Sequence, residues 1–190
     1  LLVDASNAFN NLNRQTALHN IQALCPTLAT ILINTYRTDS QLFIDKATIL
    51  SKEGTTQGDP LAMPMFALAS IPLINNLKSL SSAKQVWYAD DAAAAGGLKD
   101  LAKWWSKIRE LGPSFGYFVN PTKSCLLVKE KHLQLAIDTF SSSGIKITCE
   151  GARYLGAPLG TPDFTQQFVS QKVDEWIASI EILSSLASSQ

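Results

Sequence analysis

Apolar residues recur along the chain at two kinds of spacing, and each kind predicts a different element. Apolar positions three and four residues apart predict amphipathic helices, whereas short apolar runs between turn residues predict strands. Helical spacing occurs in the segments 12–24, 27–36, 98–108, 132–140 and 164–180. Strand-like runs lie at 1–3, 41–45, 48–51, 85–89, 92–95, 125–128, 145–148 and 154–159. This alternation predicts an α+β domain in which helices pack on a mainly antiparallel sheet.

The segment 61–77 is apolar on nearly all sides, which predicts a buried helix. Asp59 and Pro60 precede it, and these residue types are typical of the cap and of the first position of a helix. Pro72 lies inside the segment and is expected to kink the helix. Because the segment also contains polar residues and falls short of a typical membrane span, we expect no membrane partner.

Composition narrows the class of protein without identifying it. The chain has 190 residues, 46% of them hydrophobic, which is enough for one domain with a sizeable core. Sixteen basic residues balance sixteen acidic ones, although a local basic surface can lie within a neutral total. The three cysteines form no C-x-x-C pair. This usage is typical of a reduced, intracellular protein of the cytoplasm or nucleus.

Three acidic residues stand at the ends of predicted strands. Asp90 and Asp91 follow the apolar run in VWYADDAAAA, and Asp4 ends the first strand. Neighbouring strands lie about 4.8 Å apart, so pairing of the first strand with this hairpin would bring the three carboxylates together. Like charges at such distances require a counter-charge. Two Mg²⁺ ions would supply it and would form the clamp used for displacement at phosphorus.

A plainer interpretation of these acids remains open. Asp is common in turns, so the pair Asp90-Asp91, taken alone, is better explained as a polar hairpin turn. Asp4, taken alone, is more often a cap or turn residue than a ligand. The other segments of the chain are what favours the metal site.

Five segments together resemble the motifs of reverse transcriptases, in the order of that family. The segments similar to motifs A to E are LLVDASNAFNNLNR, EGTTQGDPLAMPMFALA, VWYADDAAAA with its YADD core, LGPSFGYFVNPTKSCLLV and RYLGAPLG. The QGDPL and YLG forms are more similar to non-LTR retrotransposons and other mobile elements than to retroviruses. The resemblance implies a polymerase palm and an RNA-directed DNA polymerase, a nucleotidyltransferase that joins a dNTP to a primer 3′-hydroxyl with two Mg²⁺ ions, or Mn²⁺.

The resemblance implies roles for the acidic residues and their neighbours. Asp4 and Asp90 would be the principal ligands of the catalytic metals, with Asp91 beside them and the backbone carbonyl of Ala5 as a further ligand. The fold implied is an α+β polymerase palm with a mainly antiparallel sheet and packed helices, in which the fingers are absent and the thumb is mostly absent.

The resemblance also implies contacts to substrate. Phe9 would exclude a ribose 2′-hydroxyl or be a core aromatic, and both can hold, since a packed ring makes a rigid wall. Gln57 and Gly58 would lie against the incoming nucleotide and template, or form a plain turn. Tyr88 would pack near the primer end or be a strand aromatic. Lys123 would protonate or neutralise the departing pyrophosphate. Judged by residue type alone, Lys123 is better explained as a solvated surface lysine.

A primer grip and the domain boundaries complete the resemblance. Tyr154, Leu155 and Gly156 would form the primer-grip turn. Residues 1–160 would be the palm, and 161–190 an amphipathic helix that starts a thumb or connection. The partners implied are an RNA or DNA template, a DNA primer, a dNTP, and the missing fingers and thumb of a longer parent polypeptide. The chain by itself is therefore expected to be inactive.

Some features depart from the family pattern or support no chemistry. AAAAGG follows YADD where bulkier strand formers are usual, so the second hairpin strand is expected to be thin or packed against a large side chain such as Trp. Trp105 falls on an apolar helical stripe, and Trp104 is expected to be partly exposed.

Two rival functions remain. One is a decayed or domesticated palm that acts as a non-catalytic binding or structural module. The lesser one is a metal-dependent phosphohydrolase that uses Asp4 and the Asp pair, but this explains neither Phe9 nor the QGDP segment.

Overall fold

The computed structural model describes residues 1–56 and 58–187. The helices are α1 (Ala8–Asn11), α2 (Arg14–Leu24), α3 (Pro26–Tyr36), α4 (Ala62–Leu80), α5 (Leu98–Leu111), α6 (Leu133–Phe140) and α7 (Pro162–Ala187), with 3₁₀ turns at Gly112–Phe115 and Glu130–His132. The strands are β1 (Leu2–Val3), β2 (Ser40–Ile44), β3 (Ala47–Ser51), β4 (Lys84–Tyr88), β5 (Asp91–Ala95), β6 (Cys125–Leu127), β7 (Lys146–Thr148), β8 (Gly151–Tyr154) and β9 (Ala157–Gly160).

A five-stranded sheet in the order β4-β5-β1-β6-β7 organises the chain. The short strand β1 lies at its centre and pairs antiparallel with both β5 and β6, and only the β6–β7 pair is parallel. The pairs β2–β3 and β8–β9 form separate antiparallel hairpins. The predicted α+β class with a mainly antiparallel sheet is therefore confirmed, as is the predicted pairing of the first strand with the acidic hairpin.

One face of the sheet carries the core. Ala92 and Ala94 of β5 are buried in one cluster with helical residues that include Trp104. Every other residue of a strand points to the same face, so Ala92 and Ala94 both face the core. Their small side chains leave room there for this large ring. The alanine-rich strand is thus packed against a large side chain, as expected.

The expectation that Trp104 is partly exposed is wrong, because its side chain is 0% exposed. Its indole Nε1–H donates a hydrogen bond to Gln85 Oε1 at 3.0 Å, and Gln85 Nε2–H donates to the Ile74 carbonyl at 2.8 Å. A buried indole needs such an acceptor. Gln85 on β4 supplies this acceptor. The spacing of apolar residues along the helix does not indicate that Gln85 lies beside Trp104.

The opposite face of the sheet has far less cover. Val86 and Tyr88 of β4 are 63% and 65% exposed. Alternation along the strands places Asp91 and Ala93 of β5 on this same face. The acidic residues therefore lie at the open face and not within the core.

The helix after the Gly/Thr loop begins later than predicted. Asp59 Oδ1 accepts a hydrogen bond from the Leu61 N–H at 2.8 Å, and its other oxygen accepts from the Tyr36 hydroxyl. These contacts hold a turn at Pro60, so α4 starts at Ala62. Nor is the helix buried on all sides, since Met63 is exposed.

The C-terminal part also differs from the prediction. The expected strand 154–159 is a hairpin, because Leu155 and Gly156 take φ values of 49° and 83° and form the turn between β8 and β9. Helix α7 is longer than the predicted segment 164–180, and apolar residues such as Trp176 and Leu183 are exposed on it. None of the helices in the described ranges is long and apolar enough to cross a membrane.

Candidate functional site

The three acidic residues lie at the same end of the sheet, where β1 ends and the β4–β5 hairpin turns. Val3 lies opposite Ala92, so continuing the register by one residue places Asp4 opposite Asp91. Paired Cα atoms in such ladders are about 4.5–5.5 Å apart. Asp90 lies in the two-residue loop of the hairpin, after Ala89 at φ 52°. Local turn geometry and strand pairing together bring the three acids to one end of the sheet.

The electrostatics of this end agree with the geometry. Partial burial raises the pKa of Asp91, and the charges of Asp90 and Asp4 raise it further. Burial and Asp91 also raise the pKa of Tyr154. Each shift penalises a negative charge, so the region favours a proton or a cation.

Tyr117 supports the hairpin loop from beneath. Its ring is buried and packs edge-on against Trp87 with centroids 5.3 Å apart. Its hydroxyl donates a hydrogen bond to the Asp90 backbone carbonyl at 2.8 Å. Burial, with Asp90 as the next cause, raises the pKa of Tyr117, so it remains a donor. The sequence analysis did not predict a role for Tyr117. The feature that could have indicated one is a tyrosine, which has both an apolar ring and a hydroxyl group, shortly before Asn120.

A cavity of about 460 Å³ opens beside Asp4 and Asp90. Segment 4–10 lines it together with Asp90, Asn120 and Lys123. Five predicted site residues therefore share one cavity, namely Asp4, Ala5, Phe9, Asp90 and Lys123. They come from parts of the sequence that lie more than a hundred residues apart at the extremes.

The loop that carries Lys123 is tied to the backbone around Asp4. The Asn120 N–H donates to the Asp4 carbonyl at 2.8 Å. The Asp4 N–H donates to the Ser124 hydroxyl at 3.3 Å, and that hydroxyl donates to the Asn120 carbonyl at 2.7 Å. Ser124 is buried and was not anticipated from the sequence. These bonds fix the position of the loop, while the Lys123 side chain is exposed.

Phe9 packs against the core and also faces the cavity. Its ring stacks on Phe66 of α4, with centroids 4.4 Å apart and an interplanar angle of 22°. It also lines the cavity beside Asp4. A ring held in this way forms a rigid wall of the cavity.

The Gly/Thr loop is hydrogen-bonded to the backbone of α1 and of the residue that follows it. The Thr55 N–H donates to the Phe9 carbonyl at 2.9 Å, and the Gly54 N–H donates to the Leu12 carbonyl at 2.8 Å. Gly58 is exposed at φ 91° and does not line the cavity. Gln57 lies outside the described residues.

The remaining predicted residues do not line the cavity. Tyr88 is paired with Asp91 in the β4–β5 ladder. The Tyr154 hydroxyl is buried without a hydrogen-bond partner in the described part of the chain. Leu155 and Gly156 form the β8–β9 turn.

The oxygen ligands present fit a hard cation that is shared with substrate. In the ranges that the structure describes, no three Asp, Glu, His or Cys side chains converge as a complete ligand set for a metal ion. Asp4 and Asp90 nevertheless line one cavity with Ala5. Mg²⁺ commonly binds through one or two carboxylates and completes its shell with water and substrate phosphates. The site therefore fits Mg²⁺ only together with a phosphate ligand.

No protein-family model matches the chain, and no curated protein matches it. Its function is therefore inferred from the residues of the site.

Proposed function

We propose that the chain is the palm of an RNA-directed DNA polymerase of the mobile-element type. The observation that supports this most is the shared cavity of Asp4, Phe9, Asp90 and Lys123. These residues belong to three separate segments that resemble polymerase motifs, and a chance resemblance would not require them to meet. The raised pKa of Asp91 adds a region that favours a cation.

The proposed reaction is nucleotidyl transfer. The primer 3′-hydroxyl loses its proton to solvent water, its oxygen forms a bond to the α-phosphorus of a dNTP, the bond from that phosphorus to the bridging oxygen breaks, and pyrophosphate leaves. Two Mg²⁺ ions, or Mn²⁺, would activate the 3′-oxygen and neutralise the phosphates. Asp4, Asp90 and the Ala5 carbonyl would hold them, with Asp91 beside them. The Lys123 ammonium would neutralise or protonate the pyrophosphate.

The other residues of the proposal position the substrates. The Phe9 ring would form the wall against which the sugar packs and would exclude a 2′-hydroxyl. Gln57 and Gly58 would contact the nucleotide and template. Tyr88 and the turn at Leu155 would contact the primer. Preorganised positioning of this kind supplies a large share of the rate in phosphoryl transfer.

Metal binding in the presence of a nucleotide tests the proposal on this chain. Titration of Mn²⁺ into the protein with dATP, followed by electron paramagnetic resonance, should show tighter Mn²⁺ binding than with dATP alone. Asp4→Asn and Asp90→Asn should abolish that gain. Asp174→Asn, an exposed change on α7, is the matched control and should leave it intact. Equal gain in all variants would exclude these two acids as ligands.

A second candidate is a palm that binds without catalysis. It is favoured by the absence of a complete three-residue ligand set in the described ranges. This candidate predicts that dATP gives no gain in Mn²⁺ binding with the unaltered chain. The two proposals thus differ in the first measurement of the titration.

A further inference from the structure

A second cleft lies at the end of the sheet that is far from the acids. Strand β5 starts at Asp91 and runs to Ala95, which is about 13 Å at ~3.3 Å per residue. The cleft has a volume of about 640 Å³ and lies between the first turn of α5 and the connection from β6 to α6. It shares no lining residue with the cavity beside Asp4. It is therefore a separate feature of the molecule.

Aliphatic side chains form the floor of this cleft. They are Leu98, Leu101, Leu127, Val128 and Leu135. Leu101 is buried in the core, whereas Leu135 is 58% exposed on α6. An exposed apolar side chain at the edge of a concave apolar surface is typical of a contact site. Among the described lining residues the one aromatic ring is the exposed His132 imidazole, so the apolar floor itself is aliphatic and offers little surface on which nucleic-acid bases could stack.

Lysines surround the floor. Lys99, Lys129 and Lys131 line the cleft and are exposed. In the described part of the chain none of them has an ion-pair partner, since the ion pairs there are Lys107–Glu110 and Lys172–Glu175. Glu130 lines the adjoining cavity, which shares Leu127, Val128 and Lys129 with this cleft, so one carboxylate lies next to the three lysines. The positive charge at this rim is therefore available to a ligand.

Asp100 is the carboxylate among the lining residues that the structure describes, and its charge is offset locally. It lies in the first turn of α5, where the N-terminal end of the helix dipole is positive. Its Oδ2 is turned back toward Gly97. The three lysines therefore determine the sign of the potential at the cleft.

We propose that this cleft docks a short acidic peptide segment of a partner protein. Apolar side chains of the segment would lie on the aliphatic floor, and its Asp or Glu residues would face Lys99, Lys129 and Lys131. Charge complementarity supports this partner. A nucleic acid would find a single imidazole ring, His132, and otherwise an aliphatic floor here, and a long acyl chain requires an enclosed tunnel, whereas this cleft is open at Leu135. The inference does not depend on the polymerase proposal.

Fluorescence anisotropy tests the inference on the complete chain. The probe is a labelled peptide in which a pair of leucines is flanked by glutamates. It should bind saturably, and more weakly as salt is added. Lys129→Glu combined with Lys131→Glu should weaken binding about tenfold or more, because each reversal replaces an attraction with a repulsion. Lys46→Glu combined with Lys78→Glu makes the same charge change at exposed positions elsewhere and should leave affinity within about twofold.

A second measurement locates the peptide on the unaltered chain. In nuclear magnetic resonance spectra the amides of Gly96, Gly97 and Leu135 should shift on titration. Absence of saturable binding, equal weakening by both double variants, or shifts confined to other regions would each overturn the inference. Stronger binding of the peptide with lysines in place of glutamates, or of a single-stranded RNA, would overturn it as well.

Discussion

Replacement of Arg14 by Met is expected to destabilise the fold by about 3–5 kcal/mol, because removal of the buried guanidinium leaves several hydrogen-bond acceptors unpaired at about 1–3 kcal/mol each. The Arg14 side chain is only 6% exposed. Its guanidinium donates to the carbonyls of Ser51 at 2.9 Å, Glu53 at 2.9 Å and Gly54 at 3.2 Å, and to the Ser51 hydroxyl at 3.2 Å. It also lies 5.4 Å from the centre of the Tyr36 ring. One side chain thereby ties α2 to the loop that leads to α4.

The magnitude follows from these contacts. A hydrogen bond to a charged group contributes about 1.5–3 kcal/mol, and the cation–π contact adds about 0.5–2 kcal/mol. The simple sum is too large, because the exposed backbone near Glu53 regains hydrogen bonds to water and the buried charge itself is costly. Lys at position 14 keeps the charge but lacks the planar fork. Arg14→Lys should therefore cost roughly half as much as Arg14→Met.

Urea unfolding followed by tryptophan fluorescence measures these differences. Arg37→Met removes an exposed arginine at the end of α3 and should change the free energy of unfolding by less than about 0.5 kcal/mol. Hydrogen exchange gives the local effect, since the Gly54 and Thr55 amides should exchange faster in the Arg14 variants. A loss below about 1 kcal/mol for Arg14→Met, or unchanged exchange at Gly54 and Thr55, would refute the positioning argument.

Three other predictions concern the acidic site. Because the pKa of Asp91 is raised above 3.8, the folded state binds its proton more tightly than the unfolded state, and stability falls as pH rises from 3.8 through the folded pKa. Asp91→Asn should therefore raise the urea midpoint at neutral pH without metal, and an unchanged midpoint would contradict this. Phe9→Val should cost about 1–3 kcal/mol through the lost stacking on Phe66, and in an active polymerase containing this chain it should raise the ratio of ribonucleotide to deoxynucleotide incorporation; an unchanged ratio would leave Phe9 a core residue only. The chain alone should not extend a DNA primer on an RNA template with Mg²⁺, because its basic residues form no cluster in sequence that could grip a duplex; robust extension in a gel assay would show that the grip lies within this chain.

The sequence was most informative where local pattern decides the structure. The hairpin around Asp90 and the helix after Gly97 follow from apolar spacing and turn residues over short distances. The pairing of β1 with β5 was predicted from the acidic residues at the ends of the strands, which this pairing brings to one end of the sheet. The cavity residues Asp4 and Asp90 were accordingly found from sequence.

The rest depends on partners that are distant in sequence. Burial of Arg14 requires carbonyls some forty residues later, and burial of Trp104 on helix α5 requires Gln85 on strand β4. The late start of α4 depends on the bond from Tyr36 to Asp59. A polar or charged residue is predicted to be exposed unless a buried partner is known. The sequence does not show which distant residues provide such hydrogen-bond partners, whereas the fold does. Tyr117 and Ser124 were missed for the same reason.

The two faces of β5 explain how one strand serves both core and site. Inward, Ala92 and Ala94 are small enough for Trp104 to fill the space above them. Outward, Ala93 adds little height to the open face between Val86 and Leu2, with which it is paired. Beside the exposed side chains of Val86 and Tyr88, β5 therefore forms a lower strip that leads to Asp91, and bulky β-branched residues along β5 would fill this strip. The departure from the usual strand composition is therefore compatible with the proposal that primer and template bind beside these acidic residues.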